Sequence, residues 1–430
     1  MRRRSPRRFW VWVHRWIGLT TALFLVIVGL TGSILAYYGE LDRALNPGLL
    51  TVPLRETPML DPFVLRERVE AMEPHARVDS VNLDLEPGLA YQALVVPKVD
   101  PTTGEEYVLP YDVVFVDPYT GERLGERSWG EASLAPKGLM PFIYRIHYSL
   151  ASPASMGLFG IYALGIVALL WTLDCFIGFY LTLPRVRRSR RHTPTPQPSW
   201  WRRWRPAWFV KWNVGAFRAN YDLHRAAGLW VWPMLFVLAW SSVALNLTDV
   251  YDPVTALVFG PRSNDVVPAT ARASGATLLD WRTAHGIGQH LVTDVADRYG
   301  FAVVREEFLE LDSATGVFAY GVRSSADRGK SSATRVRFDA YTGAELSFAW
   351  PGNEPTSETV TRWLIALHTA RVFGPLMQVF VCVMGVVLTL LSGTGVYLWW
   401  KKRGVRVRLH QRRLISNNVS VAAQASHTRF

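Results

Sequence analysis

Four histidines in this 430-residue chain stand where a metal ligand would be useful. His14 opens the stretch HRWIGL and His224 opens HRAAGL, 210 positions apart, each at the mouth of a long apolar run. In both, a glycine follows four residues on (Gly18, Gly228), one helical turn away and so on the histidine's own face. A helix built this way offers an imidazole to something flat and bulky, and lets that group lie close to the backbone. His147 (IHYSL) and His368 (LHTAR) stand a few residues before two further apolar runs. Two imidazoles from facing helices are what bis-histidine ligation of a b-type haem iron requires, without any cysteine. Packing alone accounts for one helix-start histidine beside a glycine; the duplication and the second pair weigh toward ligation.

Other residues qualify that chemistry. A ligating histidine needs an acceptor for its other ring nitrogen. Asp174, in LLWTLDCFIGFY, is an ionisable group inside an apolar run, where such groups are costly and usually functional. It is a candidate to orient His14 or His224 or to relay a proton, with a bond to a neighbouring helix as the structural alternative. Arg145 and Arg371 near one histidine pair, and Arg15 and Arg225 near the other, are candidates for haem propionates; lipid headgroups explain the last two equally well. Zinc is the rival metal, but it asks for three or four close ligands. His285 and His290 in AHGIGQH are five apart with glycines beside them, and solvent-exposed helix-end roles fit them better than a metal.

The elements that must position these groups follow from hydropathy. Apolar stretches long enough to span a bilayer occur at Ile17–Tyr38, Leu158–Leu183, Ala226–Leu247 and Leu376–Trp400. If all four span, residues 1–15, 184–225 and 401–430 share one side, with 25 Lys/Arg against the single acid Asp222. The other side holds 22 Lys/Arg against 33 Asp/Glu. That asymmetry makes the basic side, with both termini, cytoplasmic. The expected organisation is a basic N-terminus (1–15), a first span (16–38), an outward domain (39–146) and a second span (157–183). A basic Trp- and Pro-rich cytoplasmic loop (184–223), a third span (224–247), a second outward domain (248–364), a fourth span (372–400) and a basic tail (401–430) follow. His14 and His224 then fall at cytoplasmic depth, and His147 and His368 at the outer face. The basic start RRRSPRRFW precedes an apolar run too long for a signal-peptide core, so it reads as a retained first helix.

Both outward segments read as α+β. In the first, DPFVLRERVEAM has an Asp cap and a Pro at the first turn, before the strand-like VDSVNLDL, YQALVV, YDVVFVD and PYTGERLGE. The second has a helix near Leu278–Gln289, then FAVVREE, FLELDS, GVFAYGVR and TRVRFDAYTGAEL. DPYTGERL at Asp117 pairs with DAYTGAEL at Asp339, and GFYL at Gly178 with GVYL at Gly395, at offsets of 222 and 217. With the 210-residue histidine echo these indicate a duplicated unit of helix, outward domain and helix. Cys175 and Cys382 both lie in apolar runs, so the outward domains must fold without disulfides. No CxxCH occurs, which excludes covalent haem by the usual motif. The loop SWWRRWRPAWFVKW interleaves indoles with arginines, but between two spans it reads as a membrane-surface segment rather than a nucleic-acid site.

HRWIGL, DPYTGERL, DCFIGFYLTLP, HRAAGL and LHTAR, in this order over nearly the whole chain, resemble the PepSY-associated transmembrane helix proteins, also described as iron-regulated membrane proteins. The resemblance implies four membrane helices with two outward PepSY-like α+β domains. Some members are inner-membrane ferric-siderophore reductases with two b-type haems, which implies haem ligation by His14, His147, His224 and His368. Members joined to flavoprotein modules have their own electron source; here the donor is expected to be a separate cytoplasmic reductase or a quinol. The expected function is outward electron transfer across the inner membrane to a periplasmic ferric chelate. Two alternatives stay open: a non-redox PepSY protein that binds peptide or regulates a partner, and an accessory to siderophore or metal transport.

Overall fold

The computed structural model describes residues 6–185, 198–262, 277–327 and 334–427, with side chains described as far as residue 404. The basic stretches expected at 1–5 and within 186–197, and the side chains of the tail, lie outside the described residues. Two compact units emerge. One comprises Met1–Ser33, Tyr162–Val243 and Val383–Phe430; the other comprises Ile34–Ile161 and Ala244–Cys382.

In chain order the helices begin with α1 (Pro6–Leu35), α2 (Tyr38–Leu45), α3 (Pro47–Leu50) and α4 (Pro62–Met72). After six strands come α5 (Pro136–Ser149), α6 (Phe159–Thr182), α7 (Trp200–Trp204), α8 (Ala216–Trp230), α9 (Trp232–Asn246), α10 (Thr248–Phe259) and α11 (Trp281–Tyr299). Four more strands precede α12 (Thr356–His368) and α13 (Pro375–His427). Three segments are long and apolar enough to cross a membrane: α1, α6 and Pro375–Gly404 of α13. The third span expected from sequence is not one straight helix. It breaks at Val231, and α8 meets α9 at 69°. Pro233 has no N–H to return to the Leu229 carbonyl and its ring crowds that carbonyl, so a continuous helix is disfavoured there. Among the described residues the count is three spans, or four if the bent pair is one. The first helix also stops short of Tyr38, because Ala36 and Tyr37 turn the chain into α2.

Within the helical unit, α1 and α13 cross closely. A Cβ at Gly29 would stand 2.6 Å from Thr389 Oγ1 and 2.8 Å from the Gly385 carbonyl oxygen, and one at Gly385 would overlap the Gly29 carbonyl and Ser33 Oγ. Small residues permit this approach, as is usual between helices in lipid.

The second unit contains the sheets. Strands β1 (Ala76–Arg77) and β4 (Val96–Pro97) pair, and β3 (Tyr91–Leu94), β5 (Val113–Val116) and β6 (Arg123–Arg127) form a three-stranded antiparallel sheet. Five strands make the largest sheet, in the order β10-β9-β8-β7-β2, from β2 (Ser80–Asn82), β7 (Val303–Asp312), β8 (Val317–Ser324), β9 (Thr334–Asp339) and β10 (Glu345–Ala349). The two segments expected to face outward are therefore not independent sheets. Strand β2 of the first pairs antiparallel with β7 of the second, with Val81 opposite Leu309. Helix α4, capped by Asp61 as the sequence suggests, lays Leu65 and Val69 on Tyr91, Val114 and Val116, while α11 lays Ala284 and Val292 on Phe318, Tyr320 and Val336. The two DxYTG elements are tight turns: Asp117 Oδ1 accepts from the N–H of Tyr119 and Thr120, and Asp339 Oδ1 from those of Tyr341 and Thr342. In each the glycine (Gly121, Gly343) supplies the positive φ that closes the turn.

Candidate functional site: two histidine pairs

In the helical unit His14 and His224 face each other with ring centroids 6.2 Å apart and planes inclined at 59°. Helix α1 presents one ring and α8 the other. The Nδ1 edge of each is held by a different apolar helix. His14 Nδ1 lies 2.8 Å from Asp174 Oδ1 on α6, and His224 Nδ1 lies 3.0 Å from Thr394 Oγ1 on α13. The proton positions follow from chemistry. An ionised carboxylate only accepts, so His14 donates through Nδ1–H to Asp174. The Thr394 hydroxyl has one hydrogen, and its oxygen stands 2.9 Å from the Leu391 carbonyl, a contact that needs that hydrogen. With the hydroxyl hydrogen so placed, His224 also donates through Nδ1–H, and each ring, where neutral, has its lone pair on Nε2.

Two glycines lie beside the rings. A Cβ at Gly178, one turn beyond Asp174, would contact His14 Cε1 at 3.5 Å, and one at Gly395, beside Thr394, would contact His224 Cε1 at 3.4 Å. Each ring edge lies against its supporting helix at a distance where a methyl group would make ordinary van der Waals contact. The sequence exposed both glycines as markers of the GFYL and GVYL repeat, but not this position. Thr394 was not foreseen at all: nothing marks one hydroxyl in LLSGTGVYL until α13 is set against α8. Gly18 and Gly228 do the opposite of packing, since a Cβ on either would meet no atom within 4 Å.

The Trp-rich segment supports α8. Trp204 and Ala207 are buried against Leu229, Phe179 and Leu183, the Trp230 indole donates to the Trp208 carbonyl, and Arg225 donates to the Pro206 carbonyl and to Asp222. Asp222 is fully buried and also accepts from Arg218. Part of the expected membrane-surface loop is thus protein core, while Trp201 and Trp212 stay about two-thirds exposed. Arg225 is bonded to Asp222 through Nη2 and Arg15 stacks on Trp16, and each keeps a buried Nε without a hydrogen-bond partner.

In the other unit His147 and His368 repeat the arrangement, with centroids again 6.2 Å apart and planes inclined at 79°. His147 lies in the last turn of α5 and His368 ends α12. Each helix is followed by residues in the left-handed region: Leu150 and Ala151 after α5, Ala370 and Phe373 after α12. For side chains other than glycine this costs on the order of 1–3 kcal/mol each and tends to occur where a functional geometry is being enforced. His368 keeps some accessible surface, yet the protein packed around it, first, and the facing His147, second, push its pKa down to about 3. It is therefore a neutral ring, as ligation requires. Arg145 gives its guanidinium to the Gly130 and Ser152 carbonyls and so braces the loops on either side of α5. Arg371 is exposed, three residues after His368.

The spacing bears on the uses of a histidine pair. Rings bonded nitrogen to nitrogen by one hydrogen bond would have centres about 5 Å apart. Rings trans on one metal, with a metal–nitrogen bond of about 2 Å, would have them about 6 Å apart. The 6.2 Å of both pairs is nearer the second figure, and it is also the spacing of ordinary ring contacts such as Phe301–Phe348 at 6.3 Å. The open faces of Gly18 and Gly228 and the Arg15 Nε without a hydrogen-bond partner leave room and a donor for a flat anionic group beside the His14–His224 pair. No cluster of three or more His, Cys, Asp or Glu suited to a metal occurs among the described residues. His285 is instead bonded to Glu306 at 2.7 Å, and His290 to Asp294 at 3.1 Å, so those two histidines do not converge.

Compared with curated proteins, the chain finds no match. The family model for the PepSY-associated TM region matches residues 11–402, a span that takes in all four paired histidines, and the chain is a member of that membrane-protein family.

Proposed function

We propose that this protein is a dihaem b electron-transfer protein of the bacterial inner membrane, with both termini cytoplasmic. On this reading His14 with His224, and His147 with His368, each hold one haem iron. The observation that carries it is the common 6.2 Å separation in two pairs built on different helices. When bound, haem supplies one-electron chemistry that no side chain here offers. The chain's own residues present imidazoles at fixed separation, set oxygens against the Nδ1 edges of His14 and His224, and keep space open at Gly18 and Gly228. Arg15 and the exposed Arg371 are the propionate partners this reading favours, and Arg145 is a brace. The duplicated-unit reading draws support from the two DxYTG turns, each closing a hairpin, and from the pairing of β2 with β7.

Electrons would enter from a cytoplasmic reductase or a quinol and leave toward a periplasmic ferric chelate such as a siderophore. Reduction weakens a chelator's hold on iron, so outward transfer would release the metal. The acidic outward segments favour a neutral or cationic acceptor.

The test is the absorption spectrum of the purified protein, oxidised and dithionite-reduced, with haem counted per chain as the pyridine haemochrome. Two low-spin b haems per chain are expected, falling to one on replacement of either pair. Haem-free protein after expression with ample haem would overturn the reading and favour a non-redox regulatory or peptide-binding role.

A further inference from the structure

We infer that Asp174 and Thr394 are positioning residues of unequal strength, and that their inequality makes the His14–His224 site electronically lopsided. The inference rests on the ligation reading above. The two residues are counterparts in position, since each sets an oxygen against the Nδ1 of one ring, Asp174 Oδ1 at 2.8 Å from His14 and Thr394 Oγ1 at 3.0 Å from His224. They differ in charge. Asp174 sets a carboxylate against His14, with a side chain only 13% exposed, so water screens it little. Thr394 sets a neutral hydroxyl against His224, and that hydroxyl is already polarised toward the Leu391 carbonyl.

Two consequences follow. The Asp174 carboxylate draws the Nδ1 proton and makes Nε2 of His14 the more basic of the two donors. It also favours the more positive, oxidised state of any metal that His14 ligates, and so makes this site a stronger reductant than one held by two neutral partners. The inequality is a departure from the internal echo. Counting from Gly178 and Gly395, the position matching Asp174 is Leu391, so the second half uses a hydroxyl three residues further on.

Asp174→Asn keeps an acceptor for the His14 Nδ1–H and removes the charge. Both haems are expected to stay bound, with one of the two midpoint potentials shifted upward and the other unchanged. Asp174→Ala removes the acceptor as well, and haem affinity at one site is expected to fall about 10- to 100-fold. Thr394→Val is expected to weaken haem retention with a smaller shift in potential than Asp174→Asn gives, and Thr394→Ser to restore it. Unchanged potentials in Asp174→Asn, with two haems bound, would overturn the inference and leave the dihaem reading intact. If the wild-type chain binds no haem, the ligation reading fails instead. The tautomers are then still read from the ¹⁵N spectrum of histidine-labelled protein. Nδ1-protonated His14 and His224 are expected, and Nε2-protonated rings would overturn the inference on its own ground.

Discussion

Gly18 and Gly228 offer the sharpest separation between a haem site and ordinary helix packing. Each is one turn beyond a paired histidine, and a Cβ on either would meet no atom within 4 Å. By contrast, one at Gly29 would be within 2.8 Å of two oxygens. If the protein alone decides, Gly18→Ala and Gly228→Ala are free of clash and gain helix propensity of about 1 kcal/mol. Gly18→Leu and Gly228→Leu are likewise expected to fold, since the added carbons enter unfilled space. If a macrocycle lies against those faces, leucine takes its place. The expected result is loss of one haem of two, about half the Soret absorbance per chain, with an unchanged or higher thermal midpoint by circular dichroism. The double variant is expected to match either single one, because both glycines flank one histidine pair. Leucine variants that retain two haems would refute the reasoning: the open faces would then be lipid contacts. Leucine variants that fail to fold would refute it differently, by showing that the space is already used.

Other expectations concern the frame. Asp42 and Arg127 form a two-pronged ion pair at 2.8 and 2.9 Å with both side chains almost wholly buried. Arg127→Ala is expected to destabilise by about 3–5 kcal/mol because it strands a buried carboxylate; chemical unfolding checks this, with Asp42→Ala/Arg127→Ala expected to lose less than the two single losses combined. Gly385→Ala drives a methyl into the Gly29 carbonyl and Ser33 Oγ and is expected to cost about 1–3 kcal/mol. Gly393→Ala, which meets nothing, is the neutral control in the same melting assay. Hydrogen bonding to His285, helped by Gln289, holds the Glu306 carboxyl at a pKa of about 2 against an ordinary 4.5. A depressed acid stabilises the fold above its unfolded pKa and loses that contribution as pH falls. The wild-type protein is therefore expected to shed stability between pH 4.5 and about 2, and Glu306→Gln to flatten that part of the profile.

Much of this architecture was legible because it rests on local or periodic signals. Apolar runs gave α1, α6 and the apolar part of α13, the Asp–Pro cap gave the start of α4, and alternation gave most strands within a few residues. The hinge at Val231 was hidden by hydropathy, since WVWPMLF is apolar on both sides of the break and only Pro233 signals it. The pairing of β2 with β7 was invisible for a different reason. It joins Ser80 to Glu310, 230 residues away in sequence, and no local pattern encodes a partner at that distance. At the site, the histidines announced themselves through a repeated HRxxGL, and Asp174 through being ionic in an apolar run. Thr394, Gly178 and Gly395 carry no such mark, because their roles exist only once α6 and α13 lie against the rings.

The two halves of the first pair bear on what is being held fixed. One histidine of each facing pair comes from each half of the echo, so like elements meet and two imidazoles arrive opposite each other. Any buried ring nitrogen needs a hydrogen-bond partner. Here α6 supplies one with a carboxylate and α13 the other with a hydroxyl, from positions that do not correspond in the repeat. Two unlike side chains reach the same result: Nδ1 satisfied, a glycine behind the ring, an open face one turn on. What they share is an oxygen set against Nδ1, which is the support the proposed ligand role asks for.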